Sequence, residues 1–225
     1  MTTKIFKLLI PLLLVCFATG CATMERGAVG SEATVDEYAK SKETKSIVIF
    51  AVNWGRRWNC GSFENAEIMS LGFDQLPIKS SIDNTPSEIF LDGPPRLTKK
   101  TMFIDYALLL EPGEYALTSF DIKAARSVSD VGRFIASRSN LIQDGKPKAG
   151  FFQVKAGEIV YIGNFYLDCY QDPIIWRYYT EGRDAFLKHM SEVKLKYPFI
   201  DPASVNYRLF QTTTIGNTYE LPNKH

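Results

Sequence analysis

The sequence predicts a mainly β domain with one helix near its C-terminus, on three observations. Ser46-Ile47-Val48-Ile49-Phe50-Ala51-Val52-Asn53-Trp54 is a run of β-branched and aromatic residues, the signature of a buried strand. Two later segments alternate around glycine-bearing turns, at Pro112-Gly113 and at Ala156-Gly157. Phe186, Met190, Val193 and Tyr197 then recur at steps of four, three and four, the spacing of one helix face.

Taken in order, the strand at 46–54 finds its expected neighbour in residues 67–73. Residues 87–91 read as another strand, closed by Asp92-Gly93 and by Pro94-Pro95, which lack the N–H groups a ladder needs. Residues 102–110 and 114–120 read as a hairpin joined through Pro112-Gly113, and 151–154 and 159–166 as a second through Lys155-Ala156-Gly157-Glu158. Residues 174–179 predict a strand. The helix is expected over about 181–197, with Thr180 as its cap and Pro198 as its stop. Thr212-Thr213-Thr214-Ile215 suits an edge strand.

At the N-terminus, Lys4 and Lys7 flank the start of an apolar run over residues 8–17, which is interrupted by Pro11 and ends in the small residues Thr19 and Gly20. A span needs roughly 20 apolar residues, so this stretch reads as an export signal. Ala18-Thr19-Gly20-Cys21 resembles the lipobox of bacterial lipoproteins, with Ala18 where Leu is more usual. The resemblance implies cleavage before Cys21, diacylglycerol on its thiol, and anchoring by the two or more chains that durable attachment takes. Ala22 follows, where Asp would favour inner-membrane retention, so the implied location is the outer membrane, or the plasma membrane of an organism with only one. The competing reading is a secreted protein cut near Ala22.

The expected plan is a signal peptide over 1–20, a flexible tether over 21–45 and a single mostly β domain over 46–225. The tether reading rests on Gly27, Gly30, Ser31 and a mixed-charge stretch poor in aromatic residues, although Val35, Tyr38 and Ala39 would share one face of a short helix over 34–42. Without the signal and its two lysines, the 26 basic residues become 24 against 25 acidic ones, a balance that argues against nucleic acid as a partner.

Leu110-Glu111-Pro112-Gly113-Glu114-Tyr115 and the segment from Val154 through Gly157 to Gly163 are similar to the turn-and-strand units of PEGA and carboxypeptidase-regulatory-like modules, found in uncharacterised bacterial lipoprotein families. The similarity covers roughly residues 85–168. It implies an immunoglobulin-like antiparallel β-sandwich, with the C-terminal helix packed on it, that displays loops or binds partners. It carries over no catalytic residue.

Cys60 and Cys169 are the two cysteines left besides Cys21, in an oxidising export compartment, and the sequence leaves open a disulfide or two separate buried thiols. Asn59-Cys60-Gly61-Ser62 resembles the opening of a papain-type nucleophile motif, with His189 and Asn206 downstream, which makes a cysteine hydrolase the distant alternative. Phe63 and Glu64 depart from that motif. His189, read as a surface residue of the helix, and His225 are the only histidines, so neither a zinc site nor a Ser-His-Asp triad is expected. No cofactor or metal is predicted, and Asp168, Asp172, Glu181 and Asp184 read as solvated side chains. Trp58, Tyr170 and Trp176 are the candidate stacking residues for a protein or glycan partner, against the alternative of ordinary core packing. A non-catalytic binding or structural lipoprotein therefore ranks first, and an accessory subunit of a surface or secretion assembly second.

Overall fold

The computed structural model describes residues 32–79, 85–94, 103–170, 173–178 and 182–211. In chain order its elements are α1 (Val35–Ser41), β1 (Ser46–Asn53), β2 (Arg57–Cys60), β3 (Phe63–Leu76), β4 (Ile89–Asp92), β5 (Phe103–Leu110), β6 (Gly113–Ala125) and β7 (Val131–Ala136). There follow α2 (Arg138–Leu141), β8 (Ile142–Gln143), β9 (Lys146–Pro147), β10 (Phe151–Val154), β11 (Ile159–Asp168), β12 (Ile174–Tyr178), α3 (Gly182–Lys196) and β13 (Val205–Tyr207). The chain is mainly β, with two sheets packed face to face and the C-terminal helix laid on one of them.

Sheet A runs β12-β11-β1-β5, with β13 also on β11. β1 is apolar without interruption because both of its faces are covered. Val48, Phe50 and Val52 point between the sheets, whereas Ile47 and Ile49 point to the helix side. On that side Phe186, Met190 and Val193 of α3, with Tyr197 just beyond it, pack on Ile47, Ile49 and Tyr161, as the helical spacing predicts. Thr180, the expected cap, lies outside the described residues.

Sheet A is mixed: β1 is antiparallel to β5 and parallel to β11, so its neighbours are these strands and residues 67–73 belong elsewhere. The parallel register breaks between Ile49 and Ala51, where β11 bulges at Gly163, whose φ of 94° favours glycine. Buried Asn164 closes the gap by accepting a 3.0 Å hydrogen bond from the Ala51 N–H through its side-chain oxygen.

Sheet B is antiparallel, ordered β10-β6-β3-β2, with β4 also on β3 and β7 also on β6. Its inner face supplies Ile68, Leu71, Phe73, Leu117 and Ile122 to the inter-sheet core. Phe73 meets Phe50, Phe152, Phe165 and Phe210 there at centroid distances of 5.7–6.4 Å.

Both expected hairpins are corrected. β5 lies in sheet A and β6 in sheet B, and likewise β10 lies in B and β11 in A. Pro112-Gly113 and the 155–158 turn therefore carry the chain from one sheet to the other. Each turn sets apolar side chains of the two strands against one another across the core: Leu108 and Leu110 with Tyr115 and Leu117, Phe152 and Val154 with Val160 and Ile162. Turn chemistry and alternation are the same in both geometries, and only the pairing partner differs.

Within the tether expected over 21–45, the described part forms the short helix allowed over 34–42, α1 (Val35–Ser41). Thr34 caps α1, accepting a 3.3 Å bond from the Glu37 N–H, and the helix ends at Ser41. Ala33 is buried, its N–H donating to the Ala107 carbonyl at 2.7 Å, and Tyr38 rests on Phe199 at 5.5 Å between centroids. These apolar contacts offset the chain entropy that a polar composition alone would leave dominant. The expected edge strand at Thr212-Thr213-Thr214-Ile215 lies outside the described residues.

Candidate functional site

At one end of the sandwich the β2–β3 turn passes through Asn59 and Gly61, with φ of 55° and 60°. Cys60 forms a disulfide with Cys169, 109 residues away, and the Gly61 N–H donates to the Cys169 carbonyl at 2.9 Å. This joins a strand of sheet B to the end of a strand of sheet A. Two predicted stacking residues flank the bridge in solvent, Trp58 at 58% exposure and Tyr170 at 87%. The Arg56 guanidinium lies 5.5 Å from the Trp58 ring centroid, and a concavity of about 350 Å³ is bounded by Asn53, Arg56, Arg57 and Trp58. Trp176 belongs to β12, with its backbone in register with Tyr166, and its side chain lies outside what is described. Trp54 belongs to the core, where its indole N–H donates to the Tyr106 hydroxyl at 2.8 Å.

The papain-like reading does not survive this geometry. The Cys60 sulfur is bonded and fully buried between the sheets. His189 is a residue of α3 on the opposite side of sheet A, with its ring 5.6 Å from that of Tyr161 and Nε2 3.7 Å from Asp105 Oδ1. It is half-buried rather than the surface residue expected. Asn206 lies in β13 and pairs with Val160. Burial pushes the Asp105 carboxyl up, against the opposing charges of His189 and Lys196. Asp168 accepts from the Tyr170 N–H at 3.1 Å, while Cys21, Asp172, Glu181 and His225 lie outside the described residues. Among the described residues no group of three or more His, Cys, Asp or Glu side chains could hold a metal ion, and no helix is long and apolar enough to cross a membrane.

A second constellation, on the outer face of sheet B, was not singled out in the sequence. Arg138 caps Asp74 with two parallel bonds, Nε to Oδ2 at 2.8 Å and Nη2 to Oδ1 at 2.9 Å, although both side chains are almost wholly buried. Nη1 donates to the Thr85 carbonyl and hydroxyl, and Nη2 also to the Pro86 carbonyl. Asp74 accepts further bonds from the Thr118 hydroxyl and the Glu88 N–H. Burial alone would raise the Asp74 carboxyl, but the bonds from Arg138, Thr118 and Glu88 outweigh it and hold the carboxyl below the usual range. The network pins the 85–88 segment and α2 to the sheet. Beside it opens a concavity of about 380 Å³. Nothing local marks such a pair in the sequence, since 64 residues separate Asp74 from Arg138.

Compared with protein-family models, with curated proteins and with solved structures, the chain matches none.

Proposed function

We propose that this protein is a lipid-anchored envelope lipoprotein, held on the membrane through Cys21, that acts as a non-catalytic binding module and meets a protein or glycan partner at its disulfide end. The supporting observation is the placement of Trp58 and Tyr170. They stand in solvent beside the Cys60–Cys169 bridge, while Phe50, Phe73, Phe165 and Phe210 fill the core. A large ring held on a cross-linked support gives contact area at little cost in side-chain entropy. The lipobox resemblance supplies the anchor, and the outer membrane is the proposed location.

Two measurements test the reading. Intact mass spectrometry of the membrane-extracted protein should show an N-terminus at Cys21 carrying acyl mass, and a soluble unacylated product would remove the anchor. A photo-crosslinking residue placed at Tyr170 in the living cell should give a discrete adduct that the same group at Lys188, exposed on α3, does not. Equal labelling at both sites would remove the binding surface.

A second reading, the accessory subunit of an assembly, draws on β7. This strand pairs on one side with β6 and carries exposed Val131 and Ile135, beside Val128 in the preceding turn at 98% exposure. Adducts concentrated at Val128 rather than Tyr170 would favour it.

A further inference from the structure

We propose that the concavity on the outer face of sheet B is a binding site for a neutral saccharide, separate from the Trp58 surface. Its floor depends on a missing side chain: a Cβ on Gly72 would collide with the hydroxyls of Ser87 and Ser119 and lie 2.8 Å from Ser87 Cβ. Those two hydroxyls meet at 3.0 Å, and Ser87 also meets Thr118 at 3.2 Å. A β-bulge makes this grouping possible. The β3–β6 register pairs Phe73 with Leu117 and Gly72 with Ser119, leaving Thr118 as the extra residue. Such insertions re-aim neighbouring side chains, and here Thr118 reaches Asp74 while Ser119 reaches the cavity.

The lining selects a ligand class. Ser70, Ser119 and Ser137 contribute hydroxyls, of which Ser119 also meets Ser87 and Ser137 also meets Ser139 and Asn140, and half-buried Phe90 and exposed Ile135 contribute apolar surface. The charges at the site are already answered. All five guanidinium N–H groups of Arg138 are committed, to Asp74, to Thr85 and to the Pro86 carbonyl. The Asp121 carboxylate is held by Arg133 through Nε at 2.9 Å and through Nη2. A phosphate or carboxylate would find no uncommitted cation on Arg138, and a cationic ligand would compete with Arg133 for Asp121. Paired hydroxyls beside flat apolar surface instead match a sugar ring, which carries hydroxyls at its rim and C–H groups on its faces. The volume falls in the lower part of the range for small-ligand sites and suits one or two such rings.

The test uses the full-length protein in a zwitterionic detergent, titrated calorimetrically with maltotriose, cellotriose, mannotriose and N-acetylchitotriose. Galacturonate and inorganic phosphate serve as charged controls. At least one neutral trisaccharide should bind with a Kd of about 1 mM or tighter. Phe90→Ala and Ser70→Tyr should each weaken it at least about tenfold, a difference of roughly 1.4 kcal/mol. Trp58→Ala should leave it unchanged, which keeps this outcome distinct from that of the proposed partner surface. If circular dichroism shows Phe90→Ala unfolded, Ser70→Tyr, at a half-exposed position, decides alone. The proposal is overturned if none of the four sugars binds, if a charged control binds more tightly, or if binding persists in Ser70→Tyr.

Discussion

Sheets A and B share a core but differ in their outer faces. Sheet A is covered on both sides, so β1 is buried from Ser46 to Val52 and the helix seals its far surface with Phe186, Met190 and Val193. Among the described residues no apolar helix covers the outer face of sheet B; there the 85–88 segment and α2 bury Asp74, Arg138, Ser87 and Thr118, with half-buried Ser119, in a polar network. A face sealed by apolar side chains leaves little room for polar chemistry, because each polar group placed there needs a hydrogen-bond partner. A face covered by polar segments can collect such groups, and the Thr118 bulge and the Arg138 cap hold them in place. Sheet A therefore carries the apolar helix interface, and sheet B carries the polar network.

The sharpest way to break the comparison is to remove Arg138. Arg138→Ala leaves the buried Asp74 carboxylate without its bidentate partner, and urea unfolding should show a loss of about 4 kcal/mol. Because much of that loss is the unpaired charge, the double variant Asp74→Leu/Arg138→Met should recover part of it. A double variant as unstable as Arg138→Ala alone would mean that the contacts to Thr85 and Pro86, rather than the charge, hold the region. On the other sheet, Met190→Ala deletes a fully buried side chain from the helix interface and should cost about 3 kcal/mol through the cavity left behind. Nuclear magnetic resonance shifts should then move at Ile47, Ile49 and Tyr161 and stay in place at Ser119.

The faces also differ in their response to acid. Asp74, held below the usual carboxylate range, contributes stability that is complete above the unfolded value of about 3.9 and is lost as pH falls through its lower folded value. Asp105, pushed up by burial under the helix, has the opposite sign: its contribution is complete below about 3.9 and is lost as pH rises through its higher folded value. At neutral pH, Asp74→Asn should therefore lower the urea midpoint and Asp105→Asn should raise it, each by less than Arg138→Ala changes it. Shifts of the same sign in both variants would refute the contrast.

The same contrast explains what could be read from the sequence. β1 announced itself because two-sided burial produces an unbroken apolar run, and α3 because one-sided burial produces a stripe at helical spacing. The inter-sheet turns misled, since Pro112-Gly113 and Ala156-Gly157 reverse the chain equally well within a sheet or between sheets. Which geometry forms depends on whether β1 claims β5 and β11 as partners, a long-range choice that local patterns do not encode. Trp58 and Tyr170 stood out as residue types, but their exposure beside the Cys60–Cys169 bridge required the fold. The hydroxyl-lined concavity was the least legible part, because Ser70, Ser87, Ser119 and Ser137 are ordinary residues until a bulge and a buried ion pair bring them together.

The smallest expected effect on stability concerns the disulfide end. Trp58 and Tyr170 are mostly in solvent, so Trp58→Ala and Tyr170→Ala should each change unfolding free energy by no more than about 0.5 kcal/mol. Large exposed rings that add so little to the fold have the properties of residues available for recognition. Under the proposed function, the same substitutions should abolish the adduct formed by a crosslinker placed at neighbouring Arg57, a position also exposed. A loss of stability comparable to that of Met190→Ala would instead assign Trp58 to packing and remove it from the proposed partner surface.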